Sequence, residues 1–203
     1  MIKIPLYNIS TKKLFQLQPA FSIIQNISDK IVVAGGSILS VLNPRTEISD
    51  YDLFIISDNV NDLVKEKASI EGKLLKYGFK QTFKCPKNEL STFLYSNLKF
   101  QIINVGHKVY KTPEDILGEF DFHVCQAAYH SLDFYFSEEC IRNFRGKYLS
   151  VNKITYPSSS INRLAKYRNK GYNVYNTSRE IVEHISNNIR NDIPMDLNTI
   201  YVD

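Results

Sequence analysis

The chain has 203 residues, 43% hydrophobic and 23% charged, which excludes a disordered chain and fits one folded domain with a small appendage. No apolar run reaches the roughly 18–20 residues that a membrane helix needs, so no membrane role is expected. Its opening MIKIPLYNISTKKLF lacks the apolar centre of a secretory signal. Cys85, Cys125 and Cys140 stand far apart without a CxxC pair, so free thiols in the cytoplasm are expected. Trp is absent while Tyr (13) and Phe (12) are abundant, with much Ile, Asn and Lys. That bias fits an AT-rich genome such as a phage or virus, for which the compartment is the host cytoplasm.

The net charge of +4 is unevenly spread. Residues 142–179 carry nine basic side chains and no acidic one, leaving the rest net acidic. A one-signed block of this length attracts polyanions. Tyr148, Tyr156, Tyr167, Tyr172 and Tyr175 interleave with it and offer faces on which bases stack. A plain solvated basic face is the alternative.

In chain order, Leu14, Leu17, Phe21, Ile24 and Ile27 give helical spacing over 11–28, with Pro19 marking a first turn or a break. A short buried strand follows at 30–34. Gly35 and Gly36 end it, and 37–42 restarts as a short helix with Ser37 at its N-terminus. Asn43 and Pro44 stop that helix. The next strand is 50–56. Residues 58–77 read as a helix with Leu63, Ala68, Ile70, Leu74 and Leu75 inward and Gly78 as its C-cap.

Strands are predicted at 79–84, 91–96 and 98–105, the last two joined by a turn at Ser96 and Asn97. Thr112 and Pro113 open a short helix to Leu117. Residues 120–129 mix strand and helix character. Strands at 134–136 and 147–151 flank a short helix at 137–144. Helices at 157–170, ended by Gly171, and at 177–190 follow, then a patternless tail from about 191. The order implies an α+β fold: a mixed sheet flanked by helices in domain 1–136, with a small, basic, mainly helical domain at 137–203.

The chemistry concentrates in Gly35-Gly36-Ser37 and Asp50-Tyr51-Asp52. Two glycines where a strand feeds a helix let backbone N–H groups approach an anion, and Ser37 adds a hydroxyl. Aspartates two apart on a strand point to one face, about 6–7 Å apart along the chain. Such a pair suits Mg²⁺ bridging phosphates. A lone Gly-Gly is a turn and a lone DxD is commonly a surface loop; strand, Gly-Gly-Ser, short helix, then DxD leading a strand is more specific. No P-loop, nucleophile elbow or zinc-type spacing accompanies it.

This arrangement resembles the nucleotidyltransferases of the DNA polymerase beta superfamily. Residues 119–129 (EFDFHVCQAAY) resemble the R-R-D-F-T-x-N-A-[LM] segment of bacterial CCA-adding and poly(A) enzymes. Residues 157–174 (PSSSINRLAKYRNKGYNV) resemble their P-x-x-x-x-R-x-x-[KR] helix. The whole is similar to a compact branch found in phages and large viruses, through short islands over roughly 31–174. The resemblance implies a Mg²⁺- or Mn²⁺-dependent transfer of a nucleoside monophosphate from a triphosphate, ATP or CTP, to a hydroxyl, with an RNA such as a tRNA 3′ end as acceptor. It implies Asp50 and Asp52 as metal ligands and catalytic residues. Gly35, Gly36 and Ser37 would hold the triphosphate, with Arg163 and Lys166 on nucleotide phosphate or acceptor. Asp121 would be the catalytic aspartate of the second motif, positioning the sugar or linking the domains.

The sequence departs from this pattern in three places. Ile38-Leu39 replaces the Arg-Asp after the glycines, leaving Arg45 as the nearest basic substitute. Gly118-Glu119 replaces paired arginines. Where many relatives place a third carboxylate on a neighbouring strand, this chain offers Gln101 or Asn104. Either two carboxylates suffice, or Asp121 fills in, or catalysis is lost. The alternatives are therefore an inactive nucleic-acid-binding or virion protein, and a toxin-type enzyme modifying host tRNA or protein.

Overall fold

The computed structural model describes residues 1–43, 47–85, 87 and 89–189. Pro44, Arg45, the last predicted helical residue at 190 and the tail lie outside the described residues. The chain divides into two compact units. One comprises Met1–Leu117 and Cys125–Ser137; the other comprises Gly118–Val124 and the chain from Glu138 onward.

The first unit is built on one eight-stranded mixed sheet. In chain order the strands are β1 (Ile2–Pro5), β2 (Ile31–Ala34), β3 (Tyr51–Ile55), β4 (Lys80–Lys84), β5 (Leu90–Tyr95), β6 (Leu98–Ile103), β7 (Ala127–His130) and β8 (Asp133–Phe136). Their spatial order is β1-β8-β7-β2-β3-β6-β5-β4. Only β3 and β6 run parallel; every other neighbouring pair is antiparallel. All four residues of β2 are buried, as expected of a central strand covered on both faces. The edge strand β4 is exposed throughout.

Helices follow from the apolar spacing, with corrections. The predicted helix over 11–28 is two pieces, α1 (Thr11–Leu14) and α2 (Gln18–Ile27). Pro19 lies in the first turn of α2, where its missing N–H removes no helical bond. Phe21 of α2 stacks on Tyr129 of β7 with ring centroids 3.8 Å apart. The short helix after the glycines is a 3-10 turn, Gly36–Val41. α3 (Val60–Tyr77) is capped by the Asn59 side chain, which accepts from the Asp62 N–H, and ends at Gly78 with φ 106°. Its buried stripe is Leu63, Lys67, Ile70 and Leu74. Ala68 and Leu75 are exposed instead, because they fall off the i, i+4, i+7, i+11 row that starts at Leu63. α4 (Pro113–Leu117) is the expected short helix, with the Asp115 N–H bonded to Thr112 Oγ1. Strand β1 is not apparent in the sequence pattern; it forms by pairing with β8.

The second unit holds α5 (Glu138–Gly146), α6 (Pro157–Asn169) and α7 (Tyr175–Ile189). The strand expected at 147–151 is absent; the segment makes only single bridges, Val151 to Phe122 and Tyr148 to Asn173. Without a neighbouring strand, an extended segment cannot build a ladder. Residues 120–129 resolve into a 3-10 turn at His123–Cys125 followed by β7. Phe122, Tyr167 and Tyr172 form an edge-to-face aromatic core. Cys85, Cys125 and Cys140 form no disulfide.

Candidate nucleotide and metal site

Strand pairing unites the two halves of the first motif. The antiparallel register of β2 and β3 sets Ala34 opposite Asp52. Gly35 therefore leaves β2 where β3 begins, and seventeen residues of sequence separation collapse to adjacency. Gly35 has φ 88° and ψ −149°, a conformation open essentially to glycine alone. Its N–H is bonded to the Ala127 carbonyl at 2.8 Å, so contact with a phosphate falls to Gly36 and Ser37. A Cβ on Gly36 would meet nothing within 4 Å; protein packing does not demand glycine there. The expected Ser37 cap is not made: the Ser37 and Ser40 hydroxyls are buried and make no hydrogen bond. Burying a hydroxyl without a partner is costly.

The carboxylates meet the neighbouring parallel strand. Asp52 lies beside Gln101 and Tyr51 beside Phe100, so Asp50 continues the register towards Lys99. The four side chains at 50, 52, 99 and 101 share one face by strand alternation. Asp50 accepts from Ser49 Oγ at 3.2 Å and pairs with Lys99 Nζ at 3.5 Å. The Gln101 amide satisfies its neighbours with its nitrogen donating to Asp52 Oδ1 at 3.2 Å and its oxygen accepting from Lys99 Nζ at 3.2 Å. Gln101 thus takes the place expected of a third ligand. Asn104 is beyond β6, buried, with Nδ2 3.3 Å from His107 Nδ1. Tyr51, on the opposite face, donates its hydroxyl to the Gln16 carbonyl; burial pushes its pKa up to about 12, so it adds no charge beside the aspartates.

The donor set fits a divalent ion of one kind. Among the described residues, no cluster of three or more His, Cys, Asp or Glu could hold a metal. Two hard carboxylates remain, which suits Mg²⁺ that keeps several waters and arrives with substrate phosphates. It does not suit an ion held by protein ligands alone.

The second-motif residues serve their own unit. Asp121 is 5% exposed. Its Oδ1 accepts from the Phe122 N–H at 3.0 Å; Oδ2 accepts from Ser160 Oγ at 2.9 Å and Arg163 at 2.8 Å. The Asp121 carbonyl also accepts the Asn152 and Lys153 N–H groups. Asp121 and Arg163, expected from separate motifs, therefore meet in one clasp, buried on the Asp121 side and part-exposed at Arg163. Lys166 lies on the same helix, α6.

The basic block is partly neutralised. Arg142 pairs with Glu138 and Glu139, Lys153 with Glu119, and Arg179 with Glu183. Lys147 lies over the Tyr172 and Phe144 rings at 4.5 and 5.0 Å. Tyr148, Tyr156 and Tyr175 are exposed, whereas Tyr167 and Tyr172 are core. Lys99 is a site neighbour that no motif in the sequence marks. The signal was available: Lys99 and Gln101 repeat the alternate spacing of Asp50 and Asp52 on the strand that pairs with them.

Comparison with solved structures shows that the chain shares its fold with CCA-adding enzymes. A CCA-adding enzyme in complex with ATP superimposes with a TM-score of 0.60 at 12% identity, over 91% of this chain and 46% of that one. Its apo form I gives 0.56 at 14% identity, over 82% and 41%. The Thermotoga maritima CCA-adding enzyme complexed with tRNA gives 0.54 at 14% identity, over 82% and 40%. The expected α+β fold is thus present. Residues 8–147 match the Gabija anti-defense 2 family, and the chain belongs to it. A relative, Gabija anti-defense 2 of Bacillus phage SPbetaL7, is 29% identical over 149 residues, 72% of this chain. The chain spans about a third of that relative's length, 34%. No helix among the described residues is long and apolar enough to cross a membrane.

Proposed function

We propose that the protein is a divalent-cation-dependent nucleotidyltransferase that moves a nucleoside monophosphate from a triphosphate to a hydroxyl acceptor. The observation that carries this reading is the β2–β3 register, which sets the glycine turn against the Asp50–Asp52 face. Asp50 and Asp52 hold Mg²⁺ or Mn²⁺; a bound ion supplies Lewis-acid activation of the attacking hydroxyl and neutralises the triphosphate. Gly36 and Ser37 bind phosphate oxygens. The acceptor oxygen forms a bond to the α-phosphorus as the bond to the β-phosphate bridging oxygen breaks. Pyrophosphate leaves, and the hydroxyl proton passes to solvent. Charge on the transferring group is met by fixed donors rather than by a covalent intermediate.

The acceptor in this reading is RNA, with a tRNA-like 3′ end favoured and ATP or CTP as donor. The exposed Tyr148, Tyr156 and Tyr175 and the basic side chains of 142–179 supply stacking and phosphate contacts. Asp121 acts through Arg163 as a positioning residue, since its carboxylate is already held by Arg163, Ser160 and Phe122. The family description suggests a phage counter-defence setting, in which the modified molecule is an RNA or protein of the host's Gabija defence.

A second reading, a nucleotidyltransferase-like binding protein without catalysis, is favoured by the Lys99 pairing and by Gln101 in place of a carboxylate. One assay separates the two. The protein is incubated with each labelled triphosphate, Mg²⁺ or Mn²⁺, and total RNA or purified Gabija proteins. Label transfer that disappears in Asp50→Asn and Asp52→Asn supports the enzyme. Absence of transfer, with salt-sensitive RNA binding intact in both variants, supports the binding protein.

A further inference from the structure

Lys99 stands where a cation belongs. It projects from β6 onto the face shared by Asp50 and Asp52, and its ammonium lies 3.5 Å from Asp50 Oδ2. Gln101 relays it to the second carboxylate, accepting from Lys99 and donating to Asp52. The Asp50 side chain is only 12% exposed and that of Lys99 35%, so the pair is shielded more than a surface salt bridge. Two carboxylates on alternate strand residues repel each other unless a positive charge stands between or beside them. Here the chain provides that charge itself.

We propose that Lys99 is a tethered cation that holds the place of a divalent ion at Asp50, so that the protein binds metal appreciably only when a triphosphate brings it. The proposal rests on the reading of Asp50 and Asp52 as metal ligands and adds a regulatory element to that site. The physical argument is competition for one carboxylate. An ammonium and a hydrated divalent ion repel each other when both lie against Asp50 Oδ2, so each weakens the binding of the other. A triphosphate adds several anionic oxygens to the ion's coordination shell. That addition displaces Lys99 from Asp50 and leaves its ammonium beside the entering phosphates. The arrangement also accounts for the missing third carboxylate. An amide at Gln101 can bridge a carboxylate and an ammonium at once, donating to one and accepting from the other; a carboxylate there could only accept.

The test is Mn²⁺ binding followed by electron paramagnetic resonance, with and without a non-hydrolysable α,β-methylene triphosphate, on the full chain. Four proteins are compared: wild type, Lys99→Met, Asp50→Asn and a charge control, Lys80→Met, on the exposed edge strand. Methionine keeps most of the lysine stem and removes the ammonium. Wild type is expected to bind Mn²⁺ at least tenfold more tightly with the triphosphate than without it. Lys99→Met is expected to bind Mn²⁺ alone at least tenfold more tightly than wild type does, with a smaller gain from triphosphate. Lys80→Met should behave as wild type. Circular dichroism melts of each variant with and without Mg²⁺ give a second readout: Mg²⁺ should raise the melting temperature of Lys99→Met more than that of wild type.

Equal Mn²⁺ affinity in wild type and Lys99→Met, lost in Asp50→Asn, would overturn the role of Lys99 while leaving the metal site standing. Binding that survives Asp50→Asn unchanged, or no binding in Lys99→Met under any condition, would remove the metal site and the proposal together.

Discussion

Two aspartate motifs, one in each unit, are held in opposite ways. Asp121 is buried and takes donors from a backbone N–H, a serine and an arginine, all of its own unit. Asp50 receives one serine hydroxyl at 3.2 Å and one lysine at 3.5 Å. A carboxylate with three short internal donors has its lone pairs largely occupied and acts as a structural node. A carboxylate with two long contacts retains capacity for an outside ligand. The contrast separates residues that look alike as motif positions: one aspartate organises a helical unit, and the other is held by two longer contacts.

The comparison breaks most visibly at Asp121. Asp121→Ala should lower stability by about 2–4 kcal/mol, because it removes the carboxylate that the buried Phe122 N–H and Ser160 hydroxyl and the part-buried Arg163 guanidinium share. Urea melts check this; a loss below about 1 kcal/mol would show that the clasp is not structural. Gly35→Ala comes next, at about 1–3 kcal/mol, from forcing a side chain onto a φ of 88°. Gly36→Ala is its counterpart: a Cβ there meets open space, so the variant should melt as wild type does, while triphosphate binding in a fluorescence assay weakens. Equal losses in both glycine variants would remove the argument that Gly36 is kept for a ligand.

Lys67 gives a change of opposite sign. It is 1% exposed, 3.8 Å from Glu71, and burial pushes its pKa below 10.5 against the opposing pull of Glu71. A base whose folded pKa is lowered binds its proton more weakly in the folded state. The penalty is full below the folded pKa and vanishes above the unfolded value of 10.5. Lys67→Met should therefore stabilise the protein at neutral pH by about 1 kcal/mol, with the gain shrinking as pH approaches 10.5. Glu71 keeps Lys84 and Ser91, so it is not left unpaired. Melting temperatures at pH 7 and pH 10 test the sign. A small effect on folding is also expected at the site itself: Asp50→Asn removes the Lys99 pair together with the repulsion between the two carboxylates, so it should shift stability by no more than about 1 kcal/mol, yet abolish label transfer.

Much of this was legible along the chain because it is local. Alternation and helical spacing gave β2, β3, α2 and α3. Thr112 with Pro113 marked the start of α4, and Gly78 the end of α3. The glycine turn and the aspartate pair were readable as chemistry because each element carries its own residues. What failed was non-local. β1 is four residues long and exists by pairing with β8. The segment 147–151 has strand composition but no strand to pair with. Lys67 lies inside because a helix row is set by the sheet it covers, not by the polarity of each residue on it.

Sequence alone determined where the central strands β2 and β3 and the helix α3 form, where the glycine bend falls and which two carboxylates share a face, since those follow from local periodicity and backbone sterics. Only the tertiary structure decided that Asp121 closes on Arg163, that Tyr167 and Tyr172 are core, and that Lys99 and Gln101 stand beside Asp50 and Asp52. Those outcomes depend on the register between strands and on helix packing, energies of contact between residues far apart in the chain that no local pattern encodes.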